Sequence, residues 1–538
     1  YGGAGPFTTY RVWQSSLHFV TLVLRAGHGA RWLTIYESRM SDKVILSIDQ
    51  GTTSSRAVVL SQSGQALSIA QKELTQHYPD SGWVEHDPND IWQDTLSMCR
   101  QALKRVPNIE VVGIGISNQR ETTILWNRHT GKPVYPAIVW QDRRTAEFCD
   151  VLKHQGHEDM IHARTGLLLD AYFSASKINW ILNNVAGTRD SADAGDLAFG
   201  TVDSWLIWNL TGGRMHATDA TNASRTSLYN ISTGAWDETL LSLFDIPASI
   251  LPEVKECADD FGVTEESLLG SEIPIAGVAG DQQAAAFGQA CFQAGMMKST
   301  YGTGCFALVN TGSHQVQSTN RLLSTIAYRL NGETVYALEG SIFMAGAIMQ
   351  WLRDGLNMVR DSSETEALAV AADPDNEVVL IPAFTGLGAP HWRPEARAAI
   401  MGLTRNAGKA EIAHAALQAV SLQTEDLLIA MRSDMSKQSL SSPSHLRVDG
   451  GMVNNNWFVQ NLSDITNIPI DRPVTVETTA LGVAYLAGLQ RGIFSKLEDI
   501  TEKWQLDRSF IPQMPVNRRE TILSRWSGAI SKILHDES

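Results

Sequence analysis

The sequence predicts two α/β domains, and three observations support that fold class. The chain has 538 residues with 43% hydrophobic and 19% charged content, which is ample for two cores and too long for one ordinary domain. From Met40 onward, apolar strand-like runs alternate with helical stretches, a pattern typical of α/β architecture. Two Gly-Thr hairpins, about 250 residues apart, indicate an internally duplicated chain that grips a polyphosphate between its halves.

The first hairpin, residues 44–60, has β-branched runs on both sides of a polar turn. Asp49 ends a buried strand, where a carboxylate is costly without a partner such as a hydrated metal ion. The turn supplies short hydroxyl donors and a cationic fork suited to phosphate, at Thr52, Thr53, Ser54 and Arg56. Read alone, the segment is more typical of an ordinary hairpin rich in serine and threonine than of a phosphate site.

The rest of the first half continues the alternation of strands and helices. A buried strand is predicted at 111–118. A second strand is predicted to give way to a helix near Gln141, and a third is predicted to be followed by a Trp-rich helix within 196–212. The half closes with a strand that ends at Gly280 and a helix of small residues after it. We place the domain boundary just beyond this helix, so that residues 40–294 form the first domain.

The second half, residues 295–538, begins with the second hairpin, in the run STYGTGCFALVNTG. A helix is predicted at 343–354, a strand at 378–384, a helix at 411–428, and a strand at the start of LRVDGG. The residues around Asp373 read as a surface linker. The second domain therefore repeats the opening of the first.

The first 39 residues differ in composition from the rest of the chain. They carry four arginines and a single acid, Glu37, and the first methionine is Met40. We interpret residues 1–39 as a non-native or leader extension that is not part of the fold. An Arg-rich, acid-poor organelle transit peptide is the alternative.

Composition excludes several classes of function. A net charge of −15 without a basic run argues against nucleic-acid binding. Five widely spaced cysteines without a CxxC pair argue against a disulfide framework and a zinc site, and fit the reduced cytoplasm. No apolar run approaches the roughly 18 residues that a membrane span requires. We therefore expect a cytoplasmic protein with no nucleic-acid partner and no membrane insertion.

Five motifs carry a resemblance to a known family: DQGTTSSR, NQRETT, GDQQAA, YGTGCF and VDGG, in this order. Together they resemble the sugar-kinase family named after its FGGY motif, and most closely its glycerol-phosphorylating members. The match runs from about Ser41 to the region of Gly488. The resemblance implies a two-domain actin/hexokinase-like (ribonuclease H-like) ATPase fold with its active site in the interdomain cleft.

The resemblance also implies a catalytic base and a polyol site. Asp281 corresponds to the aspartate that accepts the proton of the substrate hydroxyl, although an aspartate before QQAAA is by itself a good helix N-cap. Arg120 and Glu121 correspond to the pair that binds the hydroxyls, although adjacent charges are more often a surface pair. The remaining substrate contacts implied are Tyr172, Gln282, Trp140 and Phe306.

The nucleotide contacts implied by the resemblance come from both halves. In the first hairpin they are Thr52, Thr53, Ser54 and Arg56, and in the second half Thr303, Gly304, Gly346, Gln350, Gly451 and Asn455. Asp49 is implied to hold Mg²⁺ through water, since this ion keeps much of its hydration shell. Asp142 stands where many relatives have cysteine and has no assigned role.

We therefore expect ATP-dependent phosphorylation of glycerol to sn-glycerol 3-phosphate, with ATP and Mg²⁺ as cofactors and glycerol as the small-molecule substrate. We also expect a homo-oligomer, either a dimer or a tetramer. One alternative is a related pentulose or polyol kinase. Another, from a different class, is an actin-like ATPase switch, which would hydrolyse ATP whether or not glycerol is present.

Overall fold

The computed structural model describes residues 20–25, 30–35, 42–393 and 395–535. Within the predicted N-terminal extension it describes two strands that pair antiparallel in a sheet of their own. The remainder of that extension lies outside the described residues, so its exclusion from the fold stays a prediction.

The strands are numbered in chain order. They are β1 (Val20–Arg25), β2 (Ala30–Ile35), β3 (Asp42–Gln50), β4 (Ser54–Ser61), β5 (Ala66–Glu73), β6 (Glu85–His86), β7 (Ile109–Asn118), β8 (Ile124–Asn127), β9 (Ala137–Ile138), β10 (Leu197–Gly200), β11 (Ala217–Asp219) and β12 (Tyr229–Asn230). They continue with β13 (Ala235–Trp236), β14 (Glu253–Lys255), β15 (Ile275–Gly280), β16 (Met297–Tyr301), β17 (Cys305–Gly312), β18 (Leu323–Leu330), β19 (Glu333–Ile342), β20 (Val379–Ile381), β21 (Ala399–Met401), β22 (Leu446–Asp449), β23 (Ile470–Pro473) and β24 (Leu506–Phe510).

The helices are numbered in the same way. They are α1 (Pro88–Lys104), α2 (Ala146–His154), α3 (Glu158–Thr165), α4 (Ser174–Asn184), α5 (Thr188–Asp193), α6 (Val202–Leu210), α7 (Ala220–Ala223), α8 (Glu238–Leu243) and α9 (Glu266–Leu269). They continue with α10 (Asp281–Gly288), α11 (Gly346–Gln350), α12 (Glu364–Ala371), α13 (Lys409–Lys437), α14 (Asn456–Thr466), α15 (Thr478–Gln490), α16 (Leu497–Thr501) and α17 (Val516–His535). Helix α1 shows why such segments begin where they do, because Asp87 caps it and proline occupies its first turn.

The first main sheet has five strands in the order β15-β7-β3-β4-β5. Strand β4 runs antiparallel to its neighbours β3 and β5, whereas β7 and β15 are parallel to β3. The parallel strands need crossover connections, and α1 lies in the one between β5 and β7. Because β3, β7 and β15 are parallel neighbours, the residues that follow them meet at one edge of the sheet.

The second main sheet has seven strands in the order β18-β19-β17-β16-β22-β23-β24. Its β16-β17 hairpin is antiparallel, β19 adds antiparallel to β17, and β22 and β23 add parallel on the other side. The five neighbouring strands β23-β22-β16-β17-β19 therefore have the same relative directions as β15-β7-β3-β4-β5 of the first sheet. This repetition is the internal duplication that the two Gly-Thr hairpins predict.

Helices α10 and α15 join the two sheets. Helix α15 lies in the chain between β23 and β24 of the second sheet but packs against β3, β7 and β15 of the first sheet. The apolar cluster around α10 and α15 includes Ile45 and Ala279 from the first sheet and Leu308, Tyr328 and Ala337 from the second. The two sheets thus share one buried apolar region around α10 and α15.

The two helices cross in direct backbone contact. A Cβ atom placed on Gly482 would lie 1.8 Å from the carbonyl oxygen of Ala284, and one on Gly288 would lie 2.0 Å from that of Thr478. Neither distance leaves room for a methyl group, because the obstructing atoms are backbone. Glycine at the crossing therefore fixes how closely α15 approaches the first domain.

The prediction of two α/β domains is confirmed, while several element boundaries differ. The helix predicted at 343–354 is α11 followed by a π-helical turn at Trp351–Gly355. The strand predicted at 378–384 is β20 alone, because it pairs with the three-residue strand β21. The boundary at residue 295 stays a prediction. Across the described part of the chain, no helix combines the length and apolar character that crossing a membrane requires.

We expect the substitution Gly482→Ala to lower the free energy of unfolding by about 1–3 kcal/mol or more, because the new methyl group must push α10 and α15 apart. Thermal unfolding followed by circular dichroism would measure the change. Gly528→Ala is the matched control, since an added Cβ on that exposed helical glycine of α17 meets no atom within 4 Å. The control should be neutral or slightly stabilising, and equal effects of both substitutions would contradict the crossing.

Candidate active site

Three charged side chains lie at the carboxyl ends of three adjacent parallel strands. Asp49 is the penultimate residue of β3, Arg120 follows β7, and Asp281 follows β15. The edge of the sheet where parallel strands end is where open α/β sheets bind ligands. The fold therefore brings together residues that are far apart in sequence, as the sequence predicts.

Arg120 and Glu121 occupy a tight turn after β7. The Thr122 N–H donates to the Arg120 carbonyl oxygen at 2.6 Å, and Glu121 has φ 60°, which together define a γ-turn. Such a conformation costs about 1–3 kcal/mol and is typical of ligand sites. The Ser174 hydroxyl holds the turn by donating to the Glu121 carbonyl oxygen at 2.9 Å.

The Arg120 guanidinium is almost fully buried and contacts two carboxylates. Its Nε lies 3.0 Å from Oδ1 of Asp281, and its Nη1 donates to Oε2 of Glu339. The Asp281 side chain is 30% exposed, whereas that of Arg120 is 2% exposed. Arg120 therefore orients a solvent-accessible carboxylate from beneath.

Two residues that the sequence reasoning missed complete this ion network. Arg225, fully buried, donates from Nε to Oε1 of Glu121 at 2.7 Å and from Nη2 to Oε1 of Glu339 at 2.9 Å. Glu339 lies in β19, so it reaches the network from the second sheet. The arginines thus alternate with the carboxylates around the site.

The network sets the ionisation of its members. Burial raises the pKa of Glu339, but the charges of Arg120 and Arg225 outweigh burial and lower that pKa to about 2. Burial raises the pKa of Glu121, opposed chiefly by Arg225 and then by Arg120. Glu339 is therefore firmly ionised, while the charge of Glu121 depends on the arginine beside it.

Aromatic rings form one wall beside the ion network. The centroid of Trp140 lies 5.4 Å from that of Tyr172 and 6.2 Å from that of Phe306. The Arg120 guanidinium lies 5.9 Å from the Phe306 centroid. The Trp140 indole also donates to the Thr52 hydroxyl at 2.9 Å, so the wall is tied to the turn of the first hairpin.

Asp281 and Gln282 begin helix α10. Oδ1 of Asp281 accepts from the Gln282 N–H at 2.7 Å. Lys298, fully buried on β16, donates to Oε1 of Gln282 and to the Thr300 hydroxyl, the latter at 2.9 Å. Burial lowers the pKa of Lys298. Lys298 therefore holds the residue next to Asp281 from the other domain.

The first hairpin turn is shaped by backbone bonds, and its arginine pairs with a carboxylate near the start of α15. The Gly51 N–H donates to the Ser54 carbonyl oxygen at 2.9 Å, and the Ser54 hydroxyl accepts from Gln71 at 3.0 Å. Thr53 is exposed. Arg56, predicted to meet phosphate, pairs with Glu477, which immediately precedes α15.

The second hairpin turn contacts the start of α11. The Gly302 carbonyl oxygen accepts from the Gly346 N–H at 2.9 Å, and the Thr303 carbonyl oxygen accepts from two further N–H groups. A Cβ on Gly346 would lie 2.5 Å from the Gly302 oxygen, so only glycine fits there. Gly304 lies next to Cys305, at the start of β17, within the same turn.

The remaining predicted nucleotide residues lie at the second sheet. Gly451 begins a 3-10 turn after β22, and Gln350 ends α11 with its side chain exposed. The Asn455 side chain accepts from the Phe458 N–H at 2.9 Å and so caps α14. Among the contacts of the described residues, none ties Gly451, Gln350 or Asn455 to the ion network.

Asp49 fits a hydrated cation by the chemistry of its surroundings. The pKa of Asp49 is raised to about 6. Burial is the largest cause, Arg56 opposes it, and the charges of Asp281 and Glu477 add to the rise. A divalent cation would relieve this repulsion between carboxylates. No group of three metal-binding side chains occurs in the part of the chain that the structure describes, an arrangement compatible with an ion such as Mg²⁺ that leans on water and phosphate.

Asp142 has a structural role. Its Oδ2 accepts from the Val84 N–H at 2.6 Å, and its Oδ1 accepts from the backbone N–H and Nε of Arg144, each at 2.9 Å. The Arg144 guanidinium stacks 3.8 Å from the Trp83 centroid and 4.7 Å from that of Trp180. Asp142 therefore anchors a buried cation–π cluster.

Two of the missed residues leave a signal in the sequence. Glu339 is the only charge in the apolar run VYALEGSI, and Lys298 interrupts the apolar start of the second hairpin. A lone charge in a buried strand pattern needs a partner, which marks both positions. Arg225 lies in a loop after α7 and carries no comparable signal.

Comparison with known proteins identifies the family of the chain. The profile of the FGGY family of carbohydrate kinases, N-terminal domain, matches residues 44–288, and that of the C-terminal domain matches residues 297–491. A glycerol kinase of Alcanivorax borkumensis is 58% identical over 491 residues, which cover 91% of this chain and 98% of that protein.

Solved structures show the same fold. The crystal structure of Plasmodium falciparum glycerol kinase with ADP has a TM-score of 0.86 and 38% identity, and covers 91% of this chain and 98% of that one. A gluconate kinase from Lactobacillus acidophilus has a TM-score of 0.81 at 21% identity, covering 91% of this chain and 97% of that one. The expected two-domain kinase fold is confirmed.

We expect Asp49→Asn to stabilise the protein free of nucleotide and metal. The pKa of Asp49, about 6 in the fold, lies above its ordinary value of 3.8, so its contribution to stability falls as pH rises from 3.8 through 6. Above pH 6 the substitution should raise the free energy of unfolding by on the order of 1–2 kcal/mol, a value reduced by solvent screening because the carboxylate is partly exposed. This increase should shrink towards pH 4. Thermal unfolding at pH 8 and pH 5 tests this, and a lower Tm for the variant at pH 8 contradicts it.

Proposed function

The chain belongs to the FGGY family of carbohydrate kinases, and from that membership we propose that it transfers the γ-phosphate of ATP to glycerol. The product is sn-glycerol 3-phosphate. The observation that carries the proposal is the buried Arg120–Glu121 pair, placed beside the accessible Asp281 carboxylate at adjacent strand ends. Relatives named glycerol kinase at 56–58% identity support the choice of substrate.

Asp281 acts as the general base. The glycerol hydroxyl that attacks the γ-phosphate loses its proton to this carboxylate, whose Oδ1 is already held by Arg120 Nε and the Gln282 N–H. These bonds leave Oδ2 for the substrate hydroxyl. A positioned base of this kind contributes typically 10²–10⁴-fold to the rate.

Arg120 and Glu121 recognise the other hydroxyls. A hydroxyl both donates and accepts, so it can accept from the guanidinium and donate to the carboxylate. Trp140, Tyr172 and Phe306 pack against the carbon chain from the aromatic wall. A small triol satisfies both polar groups while presenting its methylene groups to the rings.

The two hairpin turns hold the phosphates of ATP from opposite domains, the first through Thr52, Thr53, Ser54 and Arg56, and the second through Thr303 and Gly304. Gly346, Gln350, Gly451 and Asn455 line the nucleoside side. Asp49 would hold Mg²⁺ through water. Held there, Mg²⁺ would supply positive charge that offsets the negative charge of the phosphates. For Arg56, phosphate binding requires that it share or leave Glu477.

Two further expectations stay proposals. The five cysteines among the described residues are all unpaired and buried, which supports a reducing compartment such as the cytoplasm. The expected homo-oligomer, a dimer or a tetramer, needs a measurement of mass in solution.

ATP consumption by the purified chain, with and without glycerol, tests the proposal. A glycerol kinase consumes ATP at an appreciable rate only when glycerol is present, whereas an actin-like switch hydrolyses it regardless. A parallel screen of polyols and ketoses separates glycerol from a pentulose. Faster phosphorylation of a pentulose than of glycerol would establish the alternative kinase.

We expect Asp281→Asn to lower kcat by about 10²-fold or more while glycerol and ATP still bind, because only the base is lost. Steady-state kinetics and titration calorimetry measure the two effects. Asp237→Asn is the matched control: Asp237 caps α8 by accepting from the Thr239 and Leu240 N–H groups. A near-normal kcat for Asp281→Asn would leave Asp281 with only a structural role at the start of α10.

A further inference from the structure

We propose that Arg225 and Glu339 are positioning residues that set the affinity for glycerol from beneath the site. This inference rests on the proposed function. Arg225 acts by fixing and ionising the Glu121 carboxylate, and Glu339 acts by fixing the Arg120 guanidinium. Neither residue needs to contact the substrate itself.

The geometry assigns one oxygen of Glu121 to Arg225. The bond from Arg225 Nε to Oε1 of Glu121 is 2.7 Å long, and both side chains are almost fully buried, at 0% and 2% exposed. Oε2 of Glu121 is left to accept a substrate hydroxyl. Arg225 therefore determines the rotation of the carboxylate that recognises the polyol.

The geometry assigns Glu339 to both arginines. Its Oε1 accepts from Arg225 Nη2 at 2.9 Å and from Arg120 Nη2 at 3.3 Å, and its Oε2 accepts from Arg120 Nη1. Glu339 belongs to β19 of the second domain, whereas both arginines belong to the first. One carboxylate therefore fixes the spacing of two guanidinium groups across the domain boundary.

Stability alone is a weak reason for such a network. Taking charges out of water costs several kcal/mol per ion, and apolar residues of similar volume often stabilise as well or better. Arg225 also has a buried Nη1 that finds no hydrogen-bond partner in the described part of the chain, which adds to the cost. The arrangement is instead suited to orienting Arg120 and Glu121.

Loss of Arg225 should change the ionisation of Glu121. Burial and Glu339 raise the pKa of Glu121, whereas Arg225 and Arg120 lower it. Tyr172 and Lys177 also face this carboxylate. Without Arg225 the pKa of Glu121 rises, so more Glu121 is protonated at neutral pH, and a neutral carboxyl group is a weaker acceptor of a hydroxyl hydrogen bond than a carboxylate. The KM for glycerol should then fall as pH rises, because deprotonation restores the acceptor.

The experiment measures KM for glycerol and for ATP between pH 6 and 9 in wild type, Arg225→Met, Arg225→Lys and Glu339→Gln. We expect KM for glycerol to rise about 10-fold or more in Arg225→Met and Glu339→Gln, as for a lost hydrogen bond to a charged group, and by a smaller factor in Arg225→Lys, with KM for ATP changed by less than about 2-fold. The KM for glycerol of Arg225→Lys should lie between those of wild type and Arg225→Met, since an ammonium reaches one carboxylate rather than two.

Two further variants separate positioning from folding. Arg519→Met is the matched control, because Arg519 donates to the buried Glu425 at 2.6 Å, away from the site. It should lower Tm without changing KM for glycerol. The double variant Arg225→Met/Glu339→Gln removes one charge of each sign, so its Tm should exceed that of Arg225→Met while its KM stays high.

Different results would overturn the positioning role of Arg225 and Glu339 and the proposed function. A KM for glycerol that stays near the wild-type value in Glu339→Gln or Arg225→Lys overturns the proposal. So does recovery of the wild-type KM in the double variant, or a pH dependence of KM in Arg225→Met that parallels wild type. If Arg225→Met does not fold, the two conservative variants still decide. A wild-type protein that does not phosphorylate glycerol refutes the proposed function instead.

Discussion

A single buried guanidinium connects the candidate base, the proposed polyol-binding pair and the second domain. Arg120 contacts Asp281 through Nε and Glu339 through Nη1, and it adjoins Glu121 in a strained turn. Burying a guanidinium is unfavourable unless carboxylates surround it. The fold meets this requirement by ending parallel strands at one edge and by bringing β19 across the cleft. A change in the relative position of the two domains would therefore alter the contacts of Arg120.

The crossing of α10 and α15 sets how the domains meet. Gly482 and Gly288 allow backbone contact between the helices, and α10 begins with Asp281 itself. Helix α15 begins beside Glu477, the partner of Arg56 in the first hairpin. Both helices therefore have one end at the candidate site and a glycine at their contact. The packing of these small residues thus helps to set the geometry of the candidate site.

The fold and the parts of the site within local motifs were predictable from the sequence. Alternating strands and helices predicted the α/β class, and strand ends located Asp49 and Asp281. Partners supplied across the domain boundary were not predictable, because nothing local pairs Glu339 with Arg225. The partner of Arg56 was missed for the same reason. A charge alone in an apolar strand is the signal that sequence reasoning can use to search for such partners.

The most direct test of the central claim is a crystal structure of the chain with glycerol and a non-hydrolysable ATP analogue. The account predicts one hydroxyl within hydrogen-bond reach of Asp281, roughly 2.6–3.2 Å. It predicts the other hydroxyls on Arg120 and Glu121, with the terminal phosphate between the two hairpin turns. Glycerol bound away from Arg120 and Glu121, or oriented with no hydroxyl near Asp281, would contradict it.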